Sequence, residues 1–252
     1  MSLFDSGRLF LYTTAESPSP VAAALARGDR AGATEVHIIV DHADPELAAM
    51  AAGLRPAPVL WLADGADPVP MQAGPLPSPK DATPSALAQI TVLEAAGCEA
   101  VVEHGVVVGE VLGLEVARVA VESDGRATLR VGVGLYDQEA HALLSADAAV
   151  ATRLEQVVDE VRGHRSRDAA PHPLNRLARP RWLRSTIVAR PDLVELDQAT
   201  NVEPLAPRGG IRESTPMAAL GTSGGSRVLV VCSTGIDLDL VPTAAAHLSI
   251  DT

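Results

Sequence analysis

A chain of 252 residues, 47% of them hydrophobic, is long enough for one large domain or two ordinary ones with a substantial core. No apolar run approaches ~18 residues, and the opening MSLFDSGRLFLYTTAES carries an early acid and no cleavable-signal pattern, so neither a membrane span nor export is expected and a cytoplasmic protein is. The net charge of −12 means that any contact with nucleic acid must come from a local basic patch, and two cysteines, Cys98 and Cys232, exclude a disulfide framework.

Residues 7–14, GRLFLYTT, read as a strand, PVAAALARGDRAGA as an alanine-rich helix ending on glycines, and TEVHIIVDH as a second strand. DPELAAMAAGL opens a second helix with Asp44 as N-cap and Pro45 at the first helical position, and closes near Gly53. The strand APVLWLAD follows, then a short strand PVPMQ. Nearly continuous apolar strands alternating with helices predict parallel pairing through right-handed crossovers, an α/β fold with a small N-terminal Rossmann-like parallel layer over residues 1–73. Residues 74–84, GPLPSPKDATP, hold four prolines and read as a linker.

Residues 85–252 predict a mixed α+β second domain. The helix SALAQITVLEAAG, capped by Ser85 and stopped at Gly97, leads into the strands EAVVEHG, VVVGEVL, LEVARVAVE and ATLRVGVG, with turns at His104-Gly105 and Ser123-Asp124-Gly125. A long helical region, DQEAHALLSADAAVATRLEQVVDEVRGHR, carries an apolar stripe at Leu154, Val157, Val158 and Val161. The basic helical segment 162–190 reads as two short helices, the second starting at Pro180, and residues 191–215 as irregular. A hairpin, TPMAAL and SRVLVVCS around GTSGG, precedes the tail GIDLDLVPTAAAHLSIDT.

Charge is unevenly spread: residues 85–161 carry 13 acids and 4 bases, whereas residues 162–190 carry 1 acid and 8 bases. Arg176, Arg179, Arg181 and Arg184, with Trp182 among them, form a candidate anion or nucleic-acid surface in which arginines neutralise phosphates and the indole stacks a base. The competing expectation is that these arginines dock on the acidic segment, within the chain or across a homodimer. The one lysine, Lys80, lies in the linker, so no catalytic lysine is expected.

In the first domain Asp41 ends the second strand, where an acid can meet a ribose hydroxyl, and His42 and Asp44 stand beside it. The loop TTAESPSP after the first strand lacks the glycines that cradle phosphate, so a strand-end residue and a helix cap account for Asp41 and Asp44 more simply. Cys232 precedes a Ser-Thr-Gly turn, but no arginine follows to close a phosphate loop, and a core thiol is expected.

Glu115 is the unusual residue of the second domain. Strict two-residue alternation places it with Gly113, Ala117 and Val119 on one strand face and Arg118 with Leu114 and Val116 on the other. Both faces are largely apolar, so the strand is covered on both sides and the carboxylate needs a partner. Arg118 and Arg130 are candidates for an ion pair; the other arrangement has Glu110 and Glu103 share a cation with it.

The stretch GLEVARVAVESDGRATLRVGVG, with the preceding helix and strands, resembles the hairpin of RecB-like members of the PD-(D/E)XK nuclease superfamily. Gly113 keeps the first glycine of that pattern, Arg118 the arginine and Asp124-Gly125 the turn. The resemblance implies an Mg²⁺ site with Glu110 and Glu115 as ligands, Glu103 as a further acid and Gln138 at the start of the next helix as a catalytic residue. It departs from the family where a second acid and a lysine belong, because the next strand reads Leu129, Arg130, Val131, Gly132. HPLNRLARPRWLR and VVCSTGIDLDLVP are also similar to segments of uncharacterised proteins of high-GC Gram-positive bacteria, and that similarity implies no activity. The expectation is a non-catalytic binding or regulatory protein with a degenerate nuclease-like domain, contacting nucleic acid or a protein partner without a cofactor. An active nuclease using Mg²⁺ is one alternative, and an N-terminal nucleotide sensor coupled to the second domain is the other.

Overall fold

Three apolar strands separated by helices build the first layer in the computed structural model, which describes residues 1–14, 19–65, 67–74, 78, 80–134, 147–166, 168–210 and 215–250. Strands β1 (Ser2–Asp5), β2 (Arg8–Thr13), β3 (Glu35–Val40), β4 (Val59–Asp64) and β5 (Asp67–Met71) form one sheet in the order β1-β2-β3-β4-β5. The three central strands pair in parallel and the two edges antiparallel. Helices α1 (Pro20–Ala31) and α2 (Pro45–Ala52) make the crossovers, and Asp44 caps α2 by accepting hydrogen bonds from the Glu46 and Leu47 amides at 2.9 and 3.1 Å. Leu11, Val21, Ile38, Val40, Leu47 and Leu60 close the core between sheet and helices.

Contacts divide the chain into Met1–Ser78 with Gly235–Thr252, and Pro79–Thr234. The C-terminal tail, assigned from sequence to the second domain, returns to the first unit as a helix, Leu240–Ile250, that packs on α2. Gly53 permits that approach: a Cβ there would lie 2.0 Å from the Ala245 carbonyl oxygen.

The second unit starts with α3 (Pro84–Leu87) and α4 (Ile90–Ala95), two short helices in place of the single predicted one. Thr83 caps α3 by accepting from the Ala86 amide at 3.2 Å, where Ser85 was expected. Strands β6 (Glu99–Glu103), β7 (Val106–Val111), β8 (Leu114–Val121) and β9 (Ala127–Val131) form an antiparallel meander. Its first two turns have consecutive positive φ angles, 50° and 77° at His104-Gly105 and 50° and 74° at Leu112-Gly113, the twist that two-residue hairpins require.

Helix α5 (Asp147–His164) lays Leu154, Val157, Val158 and Val161 on one face of this sheet, all at most 3% exposed. Burying each such side chain stabilises by roughly 1.5–3 kcal/mol. After α5, a single 3₁₀ turn, Pro173–Arg176, leads into α6 (Arg179–Ala189), with proline in its first turn as predicted. The stretch read as irregular contains β10 (Gln198–Asn201), which pairs with β11 (Met217–Ser223) and β12 (Ser226–Cys232) in a second, three-stranded sheet. α6 packs on this sheet through Ile187, against Leu196, Met217, Ala219 and Cys232. The strand after α5 thus enters a separate sheet, and the meander has four antiparallel strands, whereas the nuclease resemblance implies a helix, three antiparallel strands, a helix and a further strand. No described helix is long and apolar enough to cross a membrane.

Candidate functional site

Register places glutamates side by side on the meander. Glu99 pairs with Glu110 across β6 and β7, and Glu110 with Glu115 across β7 and β8. Like charges directly opposite one another destabilise a sheet unless cations intervene. All three functional candidates are enclosed: Glu103 is 5% exposed, Glu110 0% and Glu115 4%.

Arginines supply the cations, from three directions. Within β8, Arg118 forks onto Glu115, Nε to Oε1 at 2.8 Å and Nη2 to Oε2 at 2.9 Å. This corrects the strict alternation, because the β7 to β8 register slips between Gly109 and Glu110 and leaves Val116 without a partner on β7. The bulge lets Val116 and Ala117 both enter the core, and Glu115 and Arg118, three apart, meet on the other face. Arg130, the second candidate partner, instead lies 3.7 Å from Glu122.

From α6, Arg181 Nη1 donates to both oxygens of Glu103 at 2.7 and 2.9 Å, and Arg184 Nη1 donates to Glu103 Oε1 at 3.0 Å. Arg184 Nη2 and Glu110 Oε2 stand 3.7 Å apart, an ion pair without a hydrogen bond. From the segment before β11 comes Arg208. Its Nη2 donates to Glu103 Oε2 at 2.9 Å and also to Glu110 Oε1, while its Nε lies 3.3 Å from Glu115 Oε2. That segment is pinned by Glu203, which accepts from the His104 amide at the β6-β7 turn, and by the Val202 amide donating to the Ala218 carbonyl at 3.0 Å.

The electrostatics follow from this enclosure. Burial pushes the Glu103 carboxyl up, but the guanidinium groups of Arg208 and Arg181, with Arg184, outweigh it and hold the pKa down at about 2. For Arg208, burial opposes the charge and the carboxylates of Glu110, Glu103 and Glu115 overcome it, so its pKa is raised. Burial and the neighbouring Arg208 lower Arg181 in spite of Glu103 and Glu110. A carboxylate whose folded pKa lies below its ordinary 4.5 contributes stability that is complete above 4.5 and is lost as pH falls toward 2. Acid titration of the full chain is therefore expected to remove on the order of 3 kcal/mol over that window. Denaturant melts at stepped pH check this, and a Glu103→Gln chain with an equally steep acid limb would refute it.

The arginines of the basic island part company. Arg181 and Arg184 turn inward onto the acids, and Arg165 is 1% exposed, its guanidinium 4.4 Å over the Trp182 ring centroid and bonded to the Leu177 carbonyl at 2.8 Å. The face of Trp182 predicted to stack a base thus carries a cation. Arg176 and Arg179 are exposed, and Arg176 lines a groove with His172, Asn175 and Leu177. Asp41 belongs to the first unit, just past β3, with its carboxylate 2.6 Å from His42 Nδ1. Gln138 lies outside the described residues. Both cysteines are buried, and burial pushes the Cys98 thiol up to about 11.

Sequence reasoning brought Glu103, Glu110 and Glu115 forward as one candidate site and Arg181 and Arg184 as another, with docking of the arginines on the acidic segment as the competing expectation; Arg181 and Arg184 dock there. It missed Arg208, which sits in EPLAPRGG with no periodicity or motif to mark it. Among the described residues, no group of three or more His, Cys, Asp or Glu side chains is arranged to hold a metal ion. A divalent cation bridging Glu110 and Glu115 would have to displace Arg208, so the residues present do not fit the Mg²⁺ site that the nuclease resemblance implies. No family model, no curated protein and no solved structure matches the chain.

Proposed function

We propose that this chain is a non-catalytic binding protein of the cytoplasm. Its second unit carries a degenerate nuclease-like acidic strand face, which holds arginines instead of a metal ion, on a sheet order that departs from the PD-(D/E)XK core. The parallel strands β2, β3 and β4 are taken as a Rossmann-like layer. What supports the non-catalytic assignment is Arg208, whose guanidinium touches all three carboxylates a nuclease would use for Mg²⁺. A guanidinium stays protonated throughout the physiological range and cannot leave and return as an exchangeable ion does. The one lysine of the chain, Lys80, is exposed beside Gly105 of the β6-β7 turn, whereas Glu103, Glu110 and Glu115 are buried.

Binding rather than catalysis then falls to the basic groups that remain outside the cluster. Arg176 and Arg179 offer an anionic partner, nucleic acid or an acidic protein surface, two cations next to the groove that Arg176 lines. The test is a cleavage assay on single- and double-stranded DNA and RNA with Mg²⁺ and Mn²⁺, run on the wild-type chain and on Glu115→Ala. The expected result is no metal-dependent cleavage by either. Cleavage by the wild type that Glu115→Ala abolishes would overturn the proposal in favour of an active nuclease.

A further inference from the structure

We propose that the cleft over Arg181 and Arg208 is a binding site for a small oxyanion, a phosphate or the terminal phosphoryl group of a monoester. The proposal names a ligand class for the acid and arginine cluster, and so rests on the reading of that cluster as non-catalytic.

The cleft is walled by Pro180, Ala206, Pro207, Gly210, Thr215 and Met217, and among the described residues Arg181 and Arg208 are its charged lining. Among the described residues, every bond from Arg181 to the acids runs through Nη1, and those from Arg208 run through Nη2 and Nε. Nε and Nη2 of Arg181 and Nη1 of Arg208 make no bond to the acids, and both side chains line the cleft. The free Nε–Nη2 fork of Arg181 and the single Nη1 group of Arg208, both side chains fixed from behind, offer N–H donors that a tetrahedral oxyanion can accept.

Three further observations point to an anion. Among the described residues the charge behind the cleft leans positive: Arg118, Arg165, Arg181, Arg184 and Arg208 are grouped about Glu99, Glu103, Glu110 and Glu115. Arg184, 1% exposed and 3.8 Å from the Met217 sulfur in the cleft wall, keeps Nε and Nη2 without a hydrogen-bond partner. Arg208 also lowers the pKa of its neighbour Arg181, so an anion between them relieves a repulsion already present. The carboxylates would act as positioning groups: they hold the arginines in place with few rotamers to lose on binding. Proline at both sides of the cleft, Pro180 in the first turn of α6 and Pro207 before Arg208, stiffens the backbone that carries them.

The test uses the full chain labelled with ¹³C at the methionine methyl groups. Met217 lines the cleft, while Met50 and Met71 pack in the first unit and serve as internal controls. Inorganic phosphate and a nucleoside monophosphate are titrated separately at constant ionic strength, with chloride as the reference. The expected result is a saturable shift of Met217 alone with phosphate, and tighter saturation with the monoester if the phosphoryl group is its end. Arg181→Lys and Arg208→Lys keep a charge for the acids but remove a fork, and each is expected to weaken binding about tenfold or more while the methyl spectrum stays that of a folded chain.

A Met217 shift that chloride reproduces, no saturation up to tens of millimolar, or unchanged affinity in folded lysine variants would overturn the site. If a lysine variant fails to fold, the wild-type titration decides alone. Failure here without metal-dependent cleavage leaves the binding-protein reading standing, whereas metal-dependent cleavage defeats that reading whatever phosphate does.

Discussion

Glu103→Gln is expected to lower the stability of the second unit by about 3–5 kcal/mol, seen as a fall in denaturant midpoint with little change in slope. The amide matches the carboxylate in shape, so cavity formation contributes little and the effect reports on charge. Arg181, Arg184 and Arg208 all donate to this one side chain. After the substitution the three enclosed guanidinium groups keep Glu110, and Arg208 also Glu115, but they share one acceptor oxygen at position 103, where the amide nitrogen faces donors it cannot serve. Breaking a buried pair costs more than the intact pair contributes, because the surviving charge keeps its desolvation penalty. A loss below ~1 kcal/mol would mean that the arginines find water instead, and that the cluster is far looser than its distances indicate. The intact cluster need not add net stability over an apolar replacement of equal volume. Its contribution lies in where it holds the arginines.

Gly113→Ala is the second large effect, expected to cost about 3 kcal/mol or more. Gly113 stands at φ 74°, where an L side chain is strained, and a Cβ there would lie 2.3 Å from the Arg181 carbonyl carbon and 2.5 Å from both the Arg181 oxygen and the Trp182 nitrogen. These are backbone atoms of α6, so no rotamer change relieves the clash and the helix itself must move. Arg181 and Arg184 move with it, and the acid limb of stability due to Glu103 should shrink in the same variant. Gly125→Ala separates strain from contact: Gly125 has φ 84° but nothing within 4 Å of its would-be Cβ. That change should cost only about 1–2 kcal/mol. Thermal unfolding of the two variants side by side tests the difference, and equal losses would remove the helix contact as the cause. The glycine that matched a nuclease pattern in the sequence thus has a packing reason of its own, the close seat of α6 on the β7-β8 turn.

Much of the architecture was legible because its causes are local. Proline and Asp44 mark the start of α2, paired residues with positive φ mark the hairpins at His104-Gly105 and Gly224-Gly225, and Leu154, Val157, Val158 and Val161 declare the buried face of α5 by spacing alone. The C-terminal helix was not legible as part of the first unit, because its seat on α2 depends on a glycine some 190 positions earlier, Gly53, and not on its own pattern. β10 was missed for a similar reason, since QATN is polar and becomes a strand only by pairing with β11.

The candidate site divides along the same line. Composition and order alone established an acidic segment, a basic island and a carboxylate on a strand with no freely polar face, and those facts already required that Glu115 find a partner. They did not choose the partner, because that choice depends on two things no window of sequence contains. One is the unpaired Val116, a slip of one residue in the β7 to β8 register that turns Glu115 and Arg118 to the same face. The other is Arg208, which reaches Glu103 and Glu110 across 105 and 98 positions of chain. Charges so far apart in sequence meet because chain folding makes one enclosure of low dielectric, and inside it a carboxylate must take whichever cation the packing delivers.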